Sequence, residues 1–357
     1  MSTQAKIGVI QISTGNVGTH ALRGIIEHPD LELRGLWVHS AERAGVDAGT
    51  LAGTAPAGVI ATNDLDALLS LDAQAVCYCS GADQRMPDAI ADFEKILRAG
   101  KNIVSPSLPF LTHPPQTNPF MREGIEAAAL AGGATCFVSG IDPGFANDLL
   151  PLTLLSVCRN VESIRVAEIL NYATYNQPRT LFEVMGFGQP LEETPMLLIP
   201  GILTLAWGGV IQMMADAAGA KLDEIREVYE RTPAPHDIEI TLGTIKKGTA
   251  AGLRFELQGI VNGRAAIVVE HVTRIDDTIA PHWPRGENGG LYRITVRGAP
   301  NIDMEFHLSG EDGDHNSGGL LASAQRLVHA IPQVVAAPPG LIGTLDLMKV
   351  QGRGIFK

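Results

Sequence analysis

Short apolar runs alternate with helical patterns through the first part of the chain. Lys6–Ile12 reads as a buried strand, Gly18–His28 as a helix and Leu31–His39 as a second strand. Ala75–Ser80, Asn102–Ser105 and Thr135–Ser139 are further strands, with a helix over Pro87–Ala99. Strands spaced by helices of this length predict right-handed βαβ crossovers and a parallel sheet. Gly140-Ile141-Asp142-Pro143-Gly144 then carries turn chemistry. After Pro151 the pattern changes. Ser163–Asn171 alternates like a strand, Met196–Ala215 reads as one long apolar helix, and Leu222–Arg231 reads as a charged amphipathic helix. Strands follow at Ile238–Ile245, Leu253–Val261, Ala265–Arg274, Leu291–Arg297 and Asn301–Leu308, and Asn262-Gly263 signals a tight hairpin. The reading is an α/β domain over residues 1–145 and an α+β domain with a mainly antiparallel sheet over 146–357. A final helix at Gly318–Ala336 is expected to return to the first domain.

The 357 residues suit two domains, each able to bury a core. With 27 Lys plus Arg against 39 Asp plus Glu, the net charge of -12 repels phosphate backbones and anionic lipid. Nucleic acid and membrane surfaces are therefore excluded as partners. Cys77, Cys79, Cys136 and Cys158 form no C-x-x-C pair and have no His at ligand spacing, so neither a disulfide framework nor a metal site is expected. The polar start from Met1 to Lys6 does not read as a secretory signal, and the cytoplasm is the expected location. Met196–Ala215 is long enough to cross a bilayer. Against that, Glu192, Glu193 and Asp216 flank it, and Pro200–Gly201 and Gly208–Gly209 interrupt it. Its expected place is the core or the interface of a homodimer.

After the first strand, Ser13-Thr14-Gly15-Asn16-Val17-Gly18 leads straight into a helix. This is the G-x-G-x-x-G dinucleotide fingerprint with Ser in place of the first Gly, and it marks the first domain as Rossmann-type. Gly15 leaves backbone amides open to a pyrophosphate, and Gly18 lets helix and strand pack closely. An NAD-selective site would place an acid at the tip of the second strand. Here that tip reads Val38-His39-Ser40 with Arg43 beyond, which suits a 2′-phosphate; the expected cofactor is NADP(H), with NAD(H) as the second option. Cys79, Ser80 and Gly81 after the next strand, and Ser105 after the one following, are placed along the path of the ribose and nicotinamide.

These residues resemble the NAD(P)-dependent amine dehydrogenases and 2,4-diaminopentanoate dehydrogenase, relatives of dihydrodipicolinate reductase. The resemblance rests on Gln11 to Gly18, on Trp37-Val38-His39-Ser40, and on Ser139 to Phe145 followed by Asp148. Met185-Gly186-Phe187-Gly188, Glu270-His271-Val272-Thr273-Arg274, Ala330-Ile331-Pro332 and Pro338-Pro339-Gly340 extend it over nearly the whole chain. It implies a two-domain oxidoreductase, usually a homodimer, with a small-molecule substrate between domains. Two departures stand out. The His-His-x-x-Lys motif of dihydrodipicolinate reductase is missing, with only Lys247-Gly248-Thr249 as a faint echo. The loop where the amine dehydrogenases carry a catalytic Glu reads Ser105-Pro106-Ser107-Leu108-Pro109-Phe110, without an acid.

Hydride transfer to a C=N or C=O bond also needs a group to handle a proton. Ser107, Tyr175 and His307 are the candidates, each with a plainer reading as a paired hydroxyl or a satisfied surface ring. Phe145, Asn171 and Tyr175 are candidates for substrate contact, and Asp142 and Asp148 read better as turn and cap residues. Cys136 invites a thiol-based reaction, but its apolar neighbours Thr135, Phe137 and Val138 suit core packing. The resulting expectation is an NADP-preferring oxidoreductase reducing a C=N or C=O bond of a small, largely apolar molecule. A carbonyl or imine reductase without amine chemistry, and a catalytically silent NADP-binding protein, stay open beside it.

Overall fold

The computed structural model describes residues 5–83, 85–286 and 289–347. The chain divides into two compact units: residues 1–145 with 320–357, and residues 146–319. In the first unit the order is β1 (Ile7–Ile12), α1 (Asn16–Glu27), β2 (Leu31–Trp37), α2 (Ala48–Ala52), α3 (Leu65–Leu69) and β3 (Ala75–Tyr78). It continues with α4 (Met86–Arg98), β4 (Asn102–Ser105), α5 (Pro119–Gly132) and β5 (Thr135–Val138). The second unit holds α6 (Leu149–Leu155), β6 (Asn160–Asn171), α7 (Ile202–Ala218), β7 (Glu224–Pro233), β8 (Ile238–Ile240) and β9 (Gly243–Ile245). Then come β10 (Ala250–Val261), β11 (Arg264–Arg274), β12 (Gly290–Ala299) and β13 (Ile302–Phe306). Helix α8 (His315–Ala336) starts in the second unit and continues in the first, which β14 (Gly340–Ile342) completes.

The first sheet has the order β14-β5-β4-β3-β1-β2, parallel throughout. Connections leave β1 in opposite directions, toward β2 on one side and β3 on the other, so the carboxyl end of β1 is the switch point where such sheets bind ligands. Val9, Ala75, Cys77, Val104 and Phe137 are buried with Leu327, Val328 and Ile331 of α8. The second sheet has the order β13-β12-β6-β11-β10-β7 and is antiparallel except where β6 meets β11.

Three expectations about the second half need correction. Leu222–Arg231 is not a helix: Glu224–Pro233 is an edge strand paired antiparallel with β10 from Ile225–Gly259 through Arg231–Leu253. Its Ile225, Val228, Tyr229 and Thr232 suit a pleated surface, and cross-strand pairing outweighs the helical spacing. The long apolar helix is shorter at its start. Met196–Leu198 forms a separate 3-10 turn, and Gly201, at φ +88°, breaks the backbone before α7 begins at Ile202. No residue from Ile202 to Ala215 is exposed, and Leu203, Val210, Ile211, Met213 and Met214 are buried in the core of the unit. Ile238–Ile245 is a hairpin of two short strands, β8 and β9, not one strand. No helix among the described residues is long and apolar enough to cross a membrane.

Candidate active site

The loop between β1 and α1 separates the duties of its small residues. Ser13 sits at φ +77°, in the left-handed region that favours glycine, at the position of the fingerprint's first Gly. A Cβ on Gly18 would stand 2.5 Å from the Ser13 carbonyl oxygen and 3.4 Å from Cβ of Cys79. Gly18 therefore lets α1 close onto the loop. A Cβ on Gly15 would meet only Ser13 Oγ, at 3.9 Å, so Gly15 keeps an approach open. No side chain caps α1, whose first residues are Asn16 and Val17. Uncapped amides at the positive end of a helix beside an open glycine fit a pyrophosphate.

Arg43 reaches back to this loop. Its Nη1 donates to the Thr14 carbonyl at 2.8 Å and to Thr14 Oγ1 at 2.7 Å. His39 is exposed with its ring 6.1 Å from Trp37, and Ser40 Oγ accepts from the Glu42 amide at 3.2 Å.

Beyond β3 the hydroxyls are tied to the backbone. Ser105 Oγ donates to the Tyr78 carbonyl at 2.7 Å and accepts from the Ser107 amide at 2.9 Å. Ser107 Oγ donates to the Ser80 carbonyl at 2.6 Å. Both serines stitch the β3 and β4 loops together, and neither keeps its proton for a substrate. A network unseen in the sequence holds the same corner: Tyr78 donates to Asp92 at 2.7 Å, and Arg85 donates to Tyr78 and to Ser80 Oγ at 3.0 Å each. Burial, with Asp92 alongside, pushes the Tyr78 phenol up to about 12. Cys79 is half-buried, 3.7 Å from the Cys77 sulfur, and Gly81 is exposed with open space around it. Burial also pushes the Cys136 thiol up, consistent with core packing.

In the second unit, Asn171 is committed to structure. Its amide donates to Asp277 at 3.0 Å and accepts from Ala173, while its carbonyl takes His315 and Asn316. Tyr175 stacks on Tyr172 with centroids 4.2 Å apart. His307 is exposed, its Nδ1 3.1 Å from the Gly290 carbonyl. Phe145, the last residue of the first unit, is partly exposed.

The sheet of this unit carries a row of which only His271, within the 270–274 stretch, stood out in the sequence. Register places Phe306, Tyr292, Glu168, His271, Phe255 and Tyr229 side by side, one from each strand. At its centre Glu168, His271 and Tyr292 are buried. Glu168 lies 3.1 Å from His271 Nδ1 and accepts from the Tyr292 hydroxyl at 2.9 Å.

The family model for the 2,4-diaminopentanoate dehydrogenase C-terminal domain matches residues 145–352. An amine dehydrogenase of Streptomyces virginiae is 40% identical over 345 residues, 96% of both chains. The chain belongs to this amine dehydrogenase family. It is an oxidoreductase with an NAD(P)-binding Rossmann fold. The 2,4-diaminopentanoate dehydrogenase of Acetoanaerobium sticklandii is 27% identical over 285 residues, 79% of this chain and 76% of that one. Among solved structures, amine dehydrogenase from Mycobacterium smegmatis aligns with a TM-score of 0.77 at 18% identity, covering 99% of each chain. In the loop after β4, a 3-10 turn at Pro109–Leu111 follows Ser105–Leu108, and this stretch carries no acid. A buried acid, Glu168, and a buried imidazole, His271, lie in β6 and β11. A signal for them existed. Glu168 shares strand parity with Ile164 and Val166, and His271 with Ile267 and Val269, so both were polar residues at core-facing positions.

Proposed function

We propose that this protein is an NADP-preferring dehydrogenase that interconverts a small, largely apolar amine or imine with its carbonyl partner. The observation that carries the cofactor preference is Arg43. Both of its bonds to Thr14 run through Nη1, and Nε and Nη2 have no partner among the described residues. A guanidinium anchored at the glycine loop, with His39 and Ser40 in place of an acid, suits a 2′-phosphate. In this reading residues Ser13 to Gly18 hold the pyrophosphate, and Ser40 and Arg43 hold the phosphorylated ribose. Cys79, Ser80 and Gly81 line the path toward the nicotinamide. That ring supplies the hydride donor or acceptor. Ser105 and Ser107 shape the loop beneath it, and Phe145 and Tyr175 remain candidates for contact with an apolar substrate.

Fluorescence titration with NADPH and NADH tests the preference. Arg43→Ala is expected to weaken NADPH by about 10-fold or more, the scale of one or two charge-assisted hydrogen bonds, and to leave NADH nearly unchanged. An equal loss for both removes the phosphate role.

A second reading, a carbonyl or imine reductase that takes no ammonia, draws on the acid-free loop at Ser105–Phe110. Ammonium-dependent oxidation of NADPH in the presence of a small ketone separates the two. We also propose a homodimer. Its support is the edge strand β7, where Val228 and Tyr229 are exposed, and sedimentation at micromolar concentration tests it.

A further inference from the structure

The buried row in the second sheet has the build of an oriented base. Glu168 meets Nδ1 of His271, which sets Nε2 as the second proton site of the ring. Phe255 stacks on the imidazole with centroids 4.5 Å apart and planes 12° from parallel, and Trp207 of α7 meets it edge-on at 4.7 Å. Tyr292 is itself stacked on Phe306 at 4.9 Å while its hydroxyl holds Glu168. Each polar member is thus oriented by a neighbour, the arrangement that proton transfer requires.

Stability does not explain the row. Strand neighbours of the same parity, Val166 beside Glu168 and Val269 beside His271, show that apolar side chains fill this face. A buried carboxylate is costly to desolvate, and well-packed apolar residues in its place are often neutral or stabilising. The proton of the reaction also needs an owner, since Ser105 and Ser107 donate to backbone carbonyls.

We propose that His271 exchanges the proton of the substrate nitrogen, with Glu168 and Tyr292 as its positioning residues. This rests on the proposed amine–imine chemistry. In the oxidative direction the amine C–H bond breaks and its electron pair leaves with the hydride to the oxidised dinucleotide. The N–H bond breaks, its proton goes to His271, and a C=N bond forms. Reduction reverses each change.

The test is NADPH oxidation with ammonium and cyclohexanone, run beside NADPH affinity and thermal unfolding on the same variants. His271→Gln is expected to lower kcat by about 10²- to 10⁴-fold, the range for loss of an acid–base group, with NADPH affinity unchanged. Imidazole added to His271→Ala is expected to restore part of the rate. Tyr292→Phe, which keeps the ring stack, is expected to lower kcat by about 10-fold with little change in KM. If wild type turns over and His271→Gln, folded and binding NADPH, keeps its kcat, the assignment of His271 fails alone. If wild type binds NADPH but reduces neither the ketone nor its ammonia mixture, the proposed chemistry fails and takes this assignment with it.

Discussion

Two polar clusters lie back to back in the second sheet and are built on opposite principles. Successive strand residues face opposite sides, so Glu270 and His271 belong to different faces. On the Glu270 face, Arg165 donates to Glu256 and Glu270 at 2.7 Å each, and Arg254 donates to Glu270 at 2.8 Å, to Glu230 at 3.1 Å and to Glu256 at 3.1 Å. Here every carboxylate meets a guanidinium. On the other face, Glu168 meets a phenol and an imidazole. The first cluster is charge-compensated and its arginines reach solvent, which is how a sheet tolerates ions. The second is compensated only when His271 carries a proton. The first arrangement is that of a structural network; in the proposed mechanism, the charge missing from the second is the proton that His271 exchanges.

Exchanging the substitution between the two clusters tests that contrast most severely. Glu168→Gln keeps an acceptor for Tyr292 but removes the charge facing His271. Turnover is expected to fall by about 100-fold while the unfolding midpoint moves little, measured by steady-state kinetics and thermal denaturation. Glu270→Gln is expected to do the reverse. It leaves Arg165 and Arg254 short of a partner and costs about 2 kcal/mol, below the usual cost of breaking a fully buried pair because both arginines are partly exposed. Its kcat is expected to match wild type. A Glu270 variant that loses turnover, or a Glu168 variant that only loses stability, breaks the comparison.

The smallest effect concerns acid. Desolvation raises the Glu256 carboxyl, but the Arg165 and Gln258 hydrogen bonds and the charges of Arg165 and Arg254 outweigh it and hold it below its usual 4.5. A carboxyl depressed in the folded state stabilises fully above its unfolded value, and that stability is lost as pH falls through the folded value. Arg165→Met is therefore expected to move the acid-unfolding midpoint to higher pH, read by circular dichroism.

What could be read from the chain alone follows the range of the interactions involved. The β1–α1 loop is local: strand, glycines and helix start lie within a dozen residues, and their spacing carries their geometry. Strand β7 is the opposite case. Leu222, Ile225 and Tyr229 have helical spacing, and only β10, distant in sequence, makes the segment extended. The candidate residues divide in the same way. Gly15 and Gly18 were visible through a motif, and Arg43 through its place after the second strand. Glu168 and His271 showed only as polar residues at apolar strand positions, and their meeting with Tyr292 depends on the register of three strands. Ser107 looked chemical because it was a hydroxyl on the right loop, and its bond to Ser80 depends on how two strand ends meet.

Ser13 has a consequence for binding. A side chain in the left-handed region costs about 1 kcal/mol relative to glycine, and the surroundings must hold it there. They do: its amide donates to the Trp37 carbonyl at 2.9 Å, and its carbonyl accepts from Gln11 Nε2 at 3.0 Å. A glycine would rest there without strain but would also wander in the absence of ligand. The serine narrows the loop's choices in advance, so less conformational entropy remains to be lost when a dinucleotide docks.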